Sequence, residues 1–304
     1  MISPISVFGS INMDLVVYCS AEPLKGETII GNSFKFFQGG KGANQAVAIA
    51  RLGSAVSLIG KVGTDSFGEQ LLKALGDENI DTTMLKSYSG NSGTAFIYVY
   101  EETSENQIIV VPGSNSFIEA DQIDDQTLSS TDIIISQLET PSQETQKLFI
   151  RSKKFNCYRI LNTAPAIGGN KDLIKDSDLL IMNETELSTL SADQIFSDSS
   201  PKEIEDSLKK IIYNQKKSAI VTLGSKGAYI FENQKGTYVP GLEVMAVDTT
   251  GSGDCFVGAL ASHYSQHHHL VDAAYFANQA AALSVTKKGA SASMPYLNEV
   301  VNLA

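Results

Sequence analysis

The stretch "DIIISQLETPSQETQKLFIRSKK" (132–154) decides the fold. It opens with "DIIISQ" (132–137), a short and unbroken apolar run. A strand with one wet face alternates apolar and polar residues, so an unbroken run fits a strand covered on both faces. The run ends in "QLETP" (137–141), which leaves Glu139 at the strand's carboxyl end. Residues 142–154 then read as a helix. Strand, polar edge and helix together make half of a βαβ unit.

The same unit recurs along the chain. Buried strands are predicted at "ISVFG" (5–9), "VSLIGKVG" (56–63), "YRILN" (158–162), "DLLIMN" (178–183) and "SAIVTLG" (218–224). Helices are predicted at 42–52, 66–76, 203–215, 254–265 and 271–287. This rhythm predicts an α/β fold with a doubly wound, mainly parallel sheet and helices on both faces. Two regions, approximately 15–36 and 82–111, read as strands without intervening helices. A small β-sheet lid over the carboxyl edge of the main sheet accounts for both, and that edge is where ligands bind in such folds. The whole chain, 1–304, is expected to form one domain.

Composition narrows the function classes. The 304 residues are 42% apolar and 19% charged, as in ordinary globular proteins, with a formal net charge of −11. An acidic surface argues against nucleic acid and anionic membrane as partners. Cys19, Cys157 and Cys255 are odd in number and far apart, which disfavours a disulfide scaffold or a structural zinc site. No stretch of about 18 apolar residues occurs, so no membrane span is expected. The first residues lack a basic region and an apolar core, so no signal peptide is expected and the cytoplasm is the expected location. Three consecutive histidines in "QHHHL" (266–270) cannot all face one ion from a helix and are read as a solvated helix end.

Five polar clusters fall at predicted strand ends or helix starts. "DTTGSGDCFVGALA" (248–261) places Gly251, Ser252, Gly253 and Asp254 in the first turn of a helix. Unpaired backbone N–H groups there bind anions, and the helix dipole adds to the attraction. Asp254 could then take a proton from an alcohol that attacks a bound phosphate; it reads equally as a plain capping residue. "FGSINMD" (8–14) offers Asn12 and Asp14, and a carboxylate can accept from both hydroxyls of a vicinal diol. A self-bonded turn is the structural alternative. "QGGKGANQAVAIARLG" (38–53) opens a helix with a second glycine cluster beside Lys41 and Asn44. It serves either ligand approach or tight helix packing. "QLETP" adds Glu139 at a strand's carboxyl end, and "NETE" (183–186) adds Asn183, Glu184 and Glu186, which suit Mg²⁺ or its waters, or alternatively a helix cap. The nucleotide-binding patterns GxxxxGK[ST] and GxGxxG are absent.

"GGKGANQA" (39–46) together with "DTTGSGDCFVGALA" resembles the paired signatures of the ribokinase family, the phosphofructokinase-B type carbohydrate kinases. The likeness extends in order through "LNTAPA" (161–166), "NETE", "VTLGSKG" (221–227) and "TKKGASASMP" (286–295). It implies ATP-dependent phosphorylation of D-ribose at the 5-hydroxyl. Asp254 would be the base, and the backbone at Gly251, Ser252 and Gly253 the anion hole. Asn12, Asp14, Gly40, Lys41, Asn44 and Glu139 would bind the sugar. Asn183, Thr222, Gly224, Gly227, Gly253 and Asn278 would bind the nucleotide, with Glu186 near the waters of Mg²⁺. Asp248, Thr250, Ser284, Lys287, Gly289 and Ser293 would hold K⁺, mostly through backbone carbonyls. The family likeness and the unpaired lid edges imply a homodimer through the lids. The alternatives are a kinase for fructose, deoxyribose or a nucleoside, and a non-catalytic sugar- or nucleotide-binding protein; retention of Asp254 speaks against the latter. Thr163 stands where the family usually has proline, and Cys255 is read as a small buried residue in the helix's first turn.

Overall fold

The computed structural model describes residues 4–103, 105–166, 171–212 and 217–303. In chain order its strands are β1 (Ile5–Phe8), β2 (Asn12–Cys19), β3 (Ser33–Gly39), β4 (Val56–Gly63), β5 (Leu85–Tyr88), β6 (Gly93–Tyr100), β7 (Glu105–Val111), β8 (Ile133–Ser136), β9 (Tyr158–Asn162), β10 (Leu179–Asn183), β11 (Ser218–Thr222), β12 (Gly227–Glu232) and β13 (Lys235–Pro240). Nine form one sheet in the order β13-β12-β11-β10-β9-β8-β1-β4-β5. All neighbours from β11 to β5 pair in parallel; β12 alone runs the other way, between β11 and β13. The α/β fold class read from the sequence is the one observed.

The two-residue period of a strand sends its side chains to opposite layers. Ile5, Val7, Leu58, Ile133 and Ile135 pack on one face, against the helices Lys41–Arg51, Ser252–His267 and Leu270–Ser284. Phe8, Ile59, Ile134, Leu161 and Met182 pack on the other, against Leu148 and Phe149 of Ser142–Lys153 and Leu208 of Pro201–Ile211. Every residue of β8 is buried, which is why its sequence does not alternate. Among the described residues no helix is long and apolar enough to cross a membrane.

The second sheet has the order β3-β2-β6-β7, with β2 and β6 parallel and both outer pairs antiparallel. It starts at Asn12 rather than 15 and continues to Gly39 rather than 36. Within the expected 82–111 segment, Leu85–Tyr88 pairs in parallel with β4 and so joins the main sheet. Leu85 packs on the main core, and that burial draws the segment away from the lid. The β12–β13 hairpin was not among the expected strands; it closes one edge of the main sheet. His267, His268 and His269 are exposed where two helices meet.

The helices Lys41–Arg51 and Ser252–His267 cross in close contact, and Gly258 sits at the crossing. A Cβ there would lie 2.6 Å from the Ala48 Cβ and 2.8 Å from the Gln45 carbonyl oxygen. A side chain at this point must push the two helices apart, because packed interiors hold little spare space. Gly258→Val should lower the unfolding free energy by about 2–3 kcal/mol. Urea denaturation checks this: the midpoint should fall at an unchanged m value.

Candidate active site

Two helices deliver the central residues, and both begin in the same unusual way. Lys41–Arg51 starts behind Gly40 (φ 88°) and Ser252–His267 behind Gly251 (φ 75°), with no side chain capping either. Elsewhere Asp65, Asn183 and Ser200 cap their helices with side-chain oxygens. A left-handed backbone favours glycine. The first amides of Lys41–Arg51 are taken by Glu139 and Ser10, so Ser252–His267 is the start that can offer amide N–H groups to an incoming anion.

Asp254 lies in the first turn of its helix and is 6% exposed. Asn44 Nδ2 donates to its Oδ2 at 2.9 Å, and Gln45 Nε2 donates to its Oδ1 at 3.0 Å. Asp254 lines a cavity of about 200 Å³ with Lys41, Asn162, Asn183, Glu186, Thr222, Gly251 and Gly253. Next to Asp254, Cys255 is fully buried, and burial pushes its thiol up to about 12; it packs as a small apolar side chain.

Asp14 extends from β2 into the cleft beneath the lid, a cavity of about 630 Å³ that also meets the loops 246–250 and 288–290. Burial, together with the nearby carboxylates Glu139 and Asp254, raises the Asp14 carboxyl to about 7, although Lys41 pulls it down. Burial alone would lower the Lys41 ammonium, but Asp254, Glu139, Glu186 and Asp14 outweigh it, and the group is held above its ordinary value. Glu139 Oε2 accepts from Ser10 Oγ at 2.5 Å and from the Lys41 amide at 3.3 Å. Asn12 is 4% exposed, and its Oδ1 accepts from Asn115 Nδ2 at 2.7 Å. The expected sugar residues therefore gather around Lys41.

The expected nucleotide residues divide between two cavities. Gly224, Gly227, Asn278 and Gly253 line a cavity of about 300 Å³ whose apolar wall is Phe256, Ala281, Ala282 and Val285. Asn278 Nδ2 donates to the Pro240 carbonyl at 3.0 Å and so ties its helix to the end of β13. Asn183 lines the smaller cavity instead, and Thr222 borders both. Asn183 and Glu186 also form a reciprocal cap: Asn183 Oδ1 accepts the Glu186 amide at 2.7 Å, and Glu186 Oε2 accepts the Asn183 amide at 2.9 Å. Capping and site lining thus coexist. Burial raises the Glu186 carboxyl.

Asp248 draws together the segments expected to hold a monovalent cation. Its Oδ1 accepts from the Thr250 amide at 2.9 Å and hydroxyl at 2.6 Å, and its Oδ2 from the Gly289 amide at 2.9 Å. These donors outweigh burial and hold its carboxyl below the usual range. Ser284 and Ser293 turn their hydroxyls to the carbonyls of Ala281 and Ala290. Lys287 Nζ pairs with Glu299 at 2.6 Å.

Several residues around the site were not singled out from the sequence: Ser10, Gln45, Asn115, Gln137, Asn162 and Ser291. Gln45 lies inside "GGKGANQA", four residues after Lys41, so helical spacing alone placed it on the same face. Ser291 Oγ meets both Asn44 Oδ1 (2.6 Å) and the Gln38 carbonyl (3.0 Å), a contact across the chain that has no local signal. The buried Thr163 hydroxyl has no hydrogen-bond partner among the described residues.

The model of the pfkB family of carbohydrate kinases matches residues 3–297. A ribokinase of Haemophilus influenzae is 34% identical over 302 residues, covering 98% of this chain and 97% of its own. A deoxyribokinase of Salmonella typhi is also 34% identical, over 299 residues, 97% of this chain and 96% of its own. The structure of an Arabidopsis thaliana ribokinase complexed with ribose and ATP superposes with a TM-score of 0.88 at 30% identity, covering 100% of this chain and 99% of the other.

The raised Asp14 carboxyl has a consequence for stability. An acid that holds its proton more tightly folded than unfolded stabilises the fold below its unfolded value, here 3.8, and that contribution is lost as pH rises through about 7. Asp14→Asn should match the parent near pH 4 and exceed it at pH 8 by about 2–4 kcal/mol. Chemical denaturation of both proteins across that range, without ligands, checks the sign and the pH window.

Proposed function

The chain belongs to the pfkB family of carbohydrate kinases, and from that premise we propose that it phosphorylates D-ribose at the 5-hydroxyl, giving ribose 5-phosphate and ADP. The observation that carries this reading is Asp254: a buried carboxylate in the first turn of a helix without a side-chain cap, at the cavity shared with Lys41.

In this mechanism the acceptor lies between Asp14 and Asp254. Asp14 takes two hydroxyl hydrogens of a vicinal diol, and Asn12, Gly40, Lys41, Asn44 and Glu139 complete the sugar's surroundings. The 5-hydroxyl then faces Asp254. As its oxygen bonds to the γ-phosphorus, Asp254 accepts its proton, the bond to the β–γ bridging oxygen breaks, and ADP leaves. The amides at Gly251, Ser252 and Gly253 receive the charge on the transferring group, aided by the dipole of the 16-residue helix behind them. Holding both reactants in line supplies much of the rate. The adenine ring rests on the apolar wall around Phe256.

The carboxylates outnumber the cations around Lys41: Asp14, Glu139, Glu186 and Asp254 all act on its ammonium. A triphosphate entering such a site needs a cation with it. Asn183 and Glu186 offer oxygen donors suited to the waters of Mg²⁺, which, bound with ATP, would neutralise phosphate charge. The oxygen-rich segments joined by Asp248 suit K⁺, which would order the loop preceding Gly251. Phe34, Phe36, Phe96 and Ile109 share the outer face of the lid and are exposed, which supports a homodimer through the lids. Light scattering at micromolar concentration should give twice the chain mass; a monomer mass would remove the dimer.

A second acceptor competes, because the Salmonella relative is as similar as the Haemophilus one and is named a deoxyribokinase. The decisive assay is ADP release with Mg²⁺ATP across ribose, 2-deoxyribose, fructose and adenosine, each with K⁺ or a large inert cation. Ribose should be preferred and K⁺ should accelerate it; preference for 2-deoxyribose would overturn the diol role of Asp14. Asp254→Asn should fold and bind ribose normally, with turnover lower by about three to four orders of magnitude. Near-parental turnover would remove Asp254 from the chemistry.

A further inference from the structure

We propose that Gln45 is a positioning residue for phosphoryl transfer, its amide fixing the Asp254 carboxylate in the orientation from which it takes the acceptor's proton; this rests on the reading of Asp254 as the base. Gln45 is 0% exposed and does not line the cavity that holds Asp254. Its Nε2 donates to Asp254 Oδ1 at 3.0 Å and to Asn162 Oδ1 at 3.2 Å, and its Oε1 accepts from Gln137 Nε2 at 2.7 Å.

A carboxamide has a donor end and an acceptor end, and reversing it would turn a carbonyl oxygen toward the carboxylate. The network forbids that reversal. Asn162 Nδ2 donates to the Ile181 carbonyl at 3.2 Å, and a backbone carbonyl can only accept. Asn162 must therefore present Oδ1 to Gln45, and Gln45 must present Nε2 to both Asn162 and Asp254. Gln137 must in turn present Nε2 to Gln45. Two amides, Asn162 and Gln45, thus carry one fixed polarity from the main chain of β10 to the base, and Gln137 holds the acceptor end of the second.

The far end of this chain supports the assignment. Gln137 is fully buried, and its Oε1 has no hydrogen-bond partner among the described residues. A leucine or methionine would avoid that orphaned carbonyl, so the fold keeps an unfavourable group whose other end holds Gln45. Asn44, the second donor to Asp254, is shared: its Oδ1 accepts from Ser291, and its place among the sugar residues gives it a second partner when acceptor binds. Gln45 is the donor that reaches Asp254 from outside the cavity, with only protein partners around it.

The test separates positioning from packing. Gln45→Met keeps the length and removes the donor; the double variant Gln45→Met/Gln137→Met also removes the amide that would be left unpaired. Removing both partners of the Gln45–Gln137 bond avoids leaving the Gln137 amide unpaired, so the double variant should regain part of the stability that the single one loses, the remainder being the donor that Asn162 and Asp254 no longer receive. In steady-state ADP release with the parent's best acceptor, both variants should lose roughly 10–100-fold in kcat. The acceptor KM should stay within about threefold, since ground-state binding does not use Gln45. A kcat that recovers in the double variant along with its stability would show that Gln45 only fills space. Parental kcat in both, or a loss confined to KM, would also overturn the proposal. A parent chain that transfers phosphate to no acceptor would overturn the kinase reading first, and this proposal with it.

Discussion

The site depends on one crossing of two helices. Gly258 lets Ser252–His267 approach Lys41–Arg51 closely enough for Asn44 and Gln45 to reach both oxygens of Asp254. Each helix begins at a glycine with a left-handed backbone and no side-chain cap, so two helix starts without side-chain caps converge on one cleft. A side chain at Gly258 would separate them, and the distances to Asp254 would lengthen with it. Packing, hydrogen bonding and the electrostatics of the site all meet at this contact.

The charge pattern follows from that geometry. Several carboxylates crowd around one lysine, and burial makes their mutual repulsion strong. Asp14 responds by holding its proton more tightly, and Lys41 does the same for the opposite reason, since its neighbours are anions. Such a site is unfavourable while empty. Hydroxyl donors to Asp14, or added cations, would relieve it. The fold tolerates this because the sheet beneath is buried on both faces and supplies stability elsewhere.

The lid adds a second layer of control. Its inner face carries Asp14 beside Val16 and Ile97, and its β3 strand runs directly into Gly40 and the Lys41 helix. The lid is therefore continuous with both Asp14 and Lys41. Ser291 touches the Gln38 carbonyl at the end of that strand and also touches Asn44, which links the lid's root and the loop after Gly289 to Asp254.

Local sequence determined the layers of this protein. Unbroken apolar runs marked the parallel strands because a strand covered on both faces has no wet side to encode, and glycine clusters before apolar helices marked the two helix starts at Gly40 and Gly251. Lys41, Asn44, Glu139 and Asp254 were legible because each follows a strand end or opens a helix; Asp14, expected at the end of β1, lies instead within β2 of the lid sheet. The rest was decided by tertiary structure. Leu85–Tyr88 joins the main sheet, and not the lid, through a pairing with β4 that no periodicity records. Gln45, Gln137 and Asn162 come from a helix, a strand end and another strand, up to 117 positions apart, and act together only once folded. Buried polar side chains of this kind are specified by their partners, and a partner distant in sequence leaves no trace in the spacing around either residue.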